Sequence, residues 1–142
     1  MNKIKKLFNV RIWEKFDVKK NNKTYKNCYF DKDGTLHIPN TLIINTLPLT
    51  YDLLTSEAII VKHENKSAIL TGEEKEYLEN IIWPFDVDYI IKESALLESA
   101  YFITIRLKKD EKCISLPDFP INSKMYKGMG ADVPYLPEEL GL

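Results

Sequence analysis

Two β-forming runs, residues 24–30 and 35–38, flank Asp31-Lys32-Asp33-Gly34, and this arrangement constrains the fold of the chain more than any other feature. Aromatic and β-branched runs joined by a short Asp/Gly loop specify a β-hairpin. Gly34 supplies the positive φ that the turn requires. The next strongest signal is a helix over residues 72–83. Thr71 followed by Glu74 forms a capping box, and Tyr77, Leu78, Ile81, Ile82 and Phe85 recur on one face. Pro84 ends it, because the residue before a proline is pushed out of the α region.

Three strands follow, over residues 87–93, 101–107 and 113–116, with Lys108-Lys109-Asp110-Glu111 as a charged turn. Residues 41–46 read as a further strand, and Thr50 as the cap of a short helix through Leu53 and Leu54. Residues 59–61 and 68–70 are short apolar runs; residues 3–18 begin helix-like and end strand-like. The expected fold is α+β: an antiparallel sheet of hairpins and meander with one main helix packed on one face, in a single domain over residues 1–142.

Composition narrows the function classes. With 44% apolar and 29% charged residues the chain is globular in character, and its apolar runs fall far short of the ~20 residues that cross a bilayer. The basic start lacks an apolar h-region, so the expected location is cytoplasmic. Cys28 and Cys113 lie in strand-like runs with no metal-ligand spacing and read as reduced thiols. No metal or cofactor is expected. Charge is divided unevenly: residues 1–27 carry nine basic and two acidic side chains, the remainder 11 and 19. Such asymmetry fits a nucleic-acid face or a basic element lying against an acidic body. Phe8, Trp13 and Phe16, interleaved with the lysines, suit stacking on bases but suit burial better. His37 and His63 read as solitary, and Glu73-Glu74-Lys75-Glu76 as the solvated face of the helix.

Asp31-Lys32-Asp33-Gly34-Thr35 resembles the first motif of the haloacid-dehalogenase-like phosphatases. The resemblance implies Asp31 as nucleophile and Asp33 as general acid/base, with Mg²⁺ offsetting the charge of the phosphate. Against it, the preceding run alternates polar and apolar residues, whereas that family needs a central parallel strand apolar on both faces. The later acidic motif is missing as well. A hairpin turn explains the same residues without chemistry, so no catalytic residue is assigned. A Ca²⁺ loop fails because its twelfth position is Leu42.

Residues 70–85, then Met125-Tyr126-Lys127-Gly128-Met129 and the ending from Tyr135, resemble a family of small phage and prophage proteins of low-GC Gram-positive bacteria. The resemblance implies expression inside a host cell and a non-enzymatic accessory role: binding a host or phage macromolecule, with inhibition of host immunity of the anti-CRISPR kind as one form. Trp13, Met125, Tyr126 and Met129 are the expected partner contacts, as aromatic and Met residues within a charged rim. A nucleic-acid-binding accessory protein using the basic N-terminal segment is the alternative reading, and the phosphatase is the third.

Overall fold

The computed structural model describes residues 3–63, 69–94, 101–109, 111–116 and 126–142. The chain forms two compact units, residues 1–65 and 66–142, each with its own antiparallel sheet and core. The class is α+β as the sequence predicts; among the described residues the strands form two four-stranded sheets and the α-helix is divided among three short segments rather than one main helix.

The first unit opens with α1 (Lys3–Phe8), then β1 (Phe16–Lys20), β2 (Lys23–Phe30) and β3 (Leu36–His37). Asn21-Asn22 turns β1 into β2, with Asn21 at φ 54, a left-handed conformation that Asn tolerates and hairpin turns demand. The expected hairpin is present: Tyr29 pairs with His37 and Phe30 with Leu36, antiparallel, and Gly34 has φ +82. A 3₁₀ turn (Ile43–Thr46), α2 (Leu47–Leu54) and β4 (Ile59–Lys62) complete the unit, with strand order β3-β2-β1-β4. Its core gathers Val10, Phe16, Val18, Cys28, Phe30, Leu36, Leu49 and Leu53. Phe30 sits between Phe8 and Phe16, with ring centroids 5.3 Å away on each side.

Residues 41–46, expected as a strand, are instead a bend running into the 3₁₀ turn. The Thr46 hydroxyl is buried and bonds the carbonyls of Leu36 and Ile43, which curls the segment back on itself. Pro48 in the first turn of α2 favours a start there, where a missing N–H costs nothing. Thr50 therefore lies inside the helix rather than capping it, and its hydroxyl bonds the Thr46 carbonyl one turn back.

The second unit begins with α3 (Gly72–Ile82), which carries the predicted capping box with both of its hydrogen bonds. Strands β5 (Val87–Ser94), β6 (Tyr101–Leu107), β7 (Cys113–Leu116) and β8 (Pro134–Tyr135) form a sheet of order β7-β6-β5-β8, every strand pair antiparallel. Ile103 and Ile105 of β6 point into a core with Ile90, Leu78, Leu140 and Met129. The chain near Gly128 crosses so close to Ile69 that a Cβ there would lie 2.0 Å from the Ile69 carbonyl oxygen; only glycine fits.

Glu74, expected on the solvated face of the helix, is only 6% exposed. One carboxylate oxygen accepts from the Thr71 amide and the other from the Tyr126 amide at 2.9 Å. The apolar stripe is also narrower than its periodicity suggests: Leu78 is fully buried, while Tyr77 and Phe85 are nearly half exposed. Among the described residues, no helix is long and apolar enough to cross a membrane.

Candidate functional site

Asp31, the candidate nucleophile, closes the hairpin turn. Its carboxylate accepts from the amides of Asp33 and Thr35 and from His37 Nε2 at 2.8 Å. Strand β2, which delivers it, is antiparallel to both of its neighbours, so the buried parallel strand of the phosphatase arrangement is not what holds Asp31. Asp33 is exposed in the turn. Among the described residues, no group of three or more His, Cys, Asp or Glu is placed to hold a metal.

Neither histidine is solitary. His37 stacks on Tyr29 at 4.9 Å and is bonded to Asp31; His63 bonds Asp17 at 2.7 Å. The first pair follows from hairpin register, because Tyr29 faces His37 across the strands. The second joins residues 46 positions apart, which no local pattern reveals.

Burial alone pushes the Asp31 carboxyl up, but His37 and the Thr35 and Asp33 amides outweigh it, leaving it below the usual carboxylate value. Asp17 is lowered in the same way, burial being overcome by His63 and the Asn27 amide. A carboxyl depressed in the folded state contributes stability that is present above its unfolded pKa, about 3.9, and lost as pH falls through the folded value. Chemical denaturation followed between pH 7 and pH 3 is therefore expected to show the first unit weakening below about pH 4. Asp31→Asn is expected to flatten that slope and to cost about 1 kcal/mol at neutral pH; an unchanged slope would show that the pair is not coupled to folding.

The expected partner contacts are distributed differently. Tyr126 and Met129 are 1% and 2% exposed and belong to the core of the second unit. Burial raises the Tyr126 hydroxyl well above its ordinary pKa, with the Glu74 charge adding to it. Met125 lies outside the described residues. Trp13 is half-buried at φ 66, its amide bonded to the Phe30 carbonyl and its ring 6.0 Å from Tyr29. Part of the basic N-terminal charge is engaged within its own unit. Lys15 is buried and donates to the Trp13 carbonyl, Lys20 pairs with Asp52, and Arg11 with Glu14. Both cysteines are free thiols. Burial, assisted by the Asp17 charge, pushes Cys28 up to about 12, so it is no nucleophile at neutral pH.

The largest anomaly is apolar. Leu42, Ile43, Ile44, Leu47, Tyr51 and Leu54 are each 50–72% exposed. Leu47, Tyr51 and Leu54 are spaced i, i+4, i+7 on the outer face of α2, while Leu49 and Leu53 fill the core from its inner face. Residues 38–51 contain no charged side chain, in a chain that is 29% charged. That charge-free run is the sequence signal that could have located the surface. An amphipathic segment predicts apolar residues facing the core; here apolar residues cover both faces, and only one of them is buried.

Comparison with protein-family models, with curated proteins and with solved structures gives no match for this chain.

Proposed function

We propose that this chain is a non-catalytic binding protein that docks on a partner protein through the uncharged face formed by the 3₁₀ turn and α2. The observation that carries this reading is the run of six exposed apolar side chains between Leu42 and Leu54. Together they offer on the order of 600–800 Å² of apolar surface, close to the roughly 800 Å² that each partner gives to a standard interface. Depletion of charge is the mark of an interface core, and single scattered apolar residues would not need such an explanation. A membrane surface fits less well, because helices that lie on membranes carry Lys or Arg along the polar face and residues 38–51 have none. The resemblance to phage and prophage proteins supports a setting inside a bacterial host, where occluding a host protein, a defence complex among them, is the role that such a surface suits.

The test is a pair of variants on the full chain. Leu47→Ser/Tyr51→Ser is expected to leave the circular dichroism and the melting temperature nearly unchanged, because both side chains are solvent-exposed. It is expected to weaken capture of a stoichiometric protein from nuclease-treated host lysate by at least tenfold, as loss of two anchor residues at an interface centre does. Capture that survives the double substitution would remove this face from consideration. Capture lost on nuclease treatment would favour the nucleic-acid reading.

A further inference from the structure

The second unit carries a concavity that the binding face on α2 does not involve. An open cleft of about 380 Å³ lies where the end of α3, the start of β5 and the C-terminal 3₁₀ turn meet. Trp83 and Phe85, 80% and 44% exposed, are among the residues that line it. Glu79, Asp86 and Glu138 line it with Lys108, three acidic side chains against one basic.

We propose that this cleft receives an arginine side chain from a partner polypeptide. The aromatic and the acidic lining ask for the same group. An indole face attracts a cation electrostatically, Trp being the strongest of the aromatic side chains in this respect, and arginine is the more frequent partner. The planar guanidinium stacks flat on such a ring while its fork of N–H donors reaches carboxylates at the edge, which a lysine ammonium cannot do in one pose. Ile82 and Val87, which also line the cleft, offer apolar surface for the stem of the arginine. Two lysines already pair with these carboxylates: Lys108 Nζ lies 3.4 Å from Asp86, and Lys75 Nζ, outside the lining, lies 3.8 Å from Glu79. An anionic ligand would meet like charge on three carboxylates, and a purely apolar one would bury them without offering the hydrogen bonds that a guanidinium brings.

The experiment reads Trp83 alone, in a Trp13→Phe background, by fluorescence. The probe is an acetylated, amidated Gly-Arg-Gly-Arg-Gly peptide, with its Gln-for-Arg counterpart as control. A saturable change in emission is expected with the Arg peptide, at least tenfold weaker with the Gln peptide and weakening as salt rises. Asp86→Asn/Glu138→Gln is expected to weaken binding at least fivefold. Lys108→Ala, which removes the competing cation, is expected to tighten it two- to fivefold, an effect of opposite sign that general loss of structure does not produce. Equal responses to the two peptides, no saturable response up to about 5 mM, or an unchanged response in the Asp86/Glu138 variant would overturn the proposal. Leu47→Ser/Tyr51→Ser is expected to leave this titration unaffected, so failure here and failure of the α2 face are told apart.

Discussion

Phe30→Ala is expected to lower the unfolding free energy of the first unit by about 3–5 kcal/mol, the range for emptying a fully buried phenylalanine site. Phe30 is 0% exposed, and its ring is flanked at 5.3 Å by Phe8 from α1 and Phe16 from β1. Removing it leaves a cavity where helix, strand and hairpin meet, and deprives two other rings of their partner. The Phe30 carbonyl also accepts from the Trp13 amide, so a backbone shift at residue 30 is transmitted to the Trp13 ring. Urea unfolding monitored by Trp13 fluorescence in a Trp83→Phe background reads this directly. Phe30→Leu, which conserves most of the volume, should cost less than about 1.5 kcal/mol. A loss below about 1 kcal/mol for Phe30→Ala would mean that the aromatic trio does not organise the core.

The second large effect is expected at Glu74. Its two oxygens satisfy the Thr71 amide at the start of α3 and the Tyr126 amide, which is 52 positions away. Glu74→Ala removes half of a capping box, worth about 1 kcal/mol, and strands a buried amide at a further 1–3 kcal/mol. The total loss is about 2–4 kcal/mol, measurable by thermal or urea unfolding read at Trp83. Glu73→Ala is the control. Glu73 is exposed in the same turn, and its replacement should stay within about 0.5 kcal/mol. If Glu73 and Glu74 behaved alike, the carboxylate would be a helix-end charge and not a cross-brace. Glu74→Gln keeps one acceptor oxygen and should fall between the two.

These two residues also mark how far the sequence could be read. The hairpin around Asp31, the capping box at Thr71 and the three strands after Pro84 were legible because each is written in neighbouring residues: turn chemistry, a cap three positions from its partner, period-two alternation. Burial of Glu74 was not legible, since it depends on Tyr126 arriving from far along the chain. The run from Leu42 to Ile44 has the composition of a strand, yet finds no strand partner and curls under the hydroxyl of Thr46. Exposure of the apolar surface was not legible for a related reason. Pattern alone places apolar residues in the interior and does not separate a core residue from a contact, so Tyr126 and Met129, expected at the surface, fill a core. The exposed apolar surface lies mostly in the charge-free run of residues 38–51, with Leu54 just beyond Asp52.

The two sheets differ in when the ribosome can supply their parts. All four strands of the first lie between Phe16 and Lys62, and its two hairpins join sequence neighbours. Synthesis runs from the N-terminus, and domains generally fold as units when complete. The first unit therefore has everything it needs while the remainder is still being translated. The second must wait for Pro134–Tyr135 to pair with β5 and for Tyr126 to reach Glu74, so its nascent β5–β6 pair stands with one flank unprotected until residues 134–135 emerge. Interruption of synthesis before residue 126, or deletion of residues 126–142, would thus spare the first unit and leave the second with an open strand edge, the template on which chains aggregate.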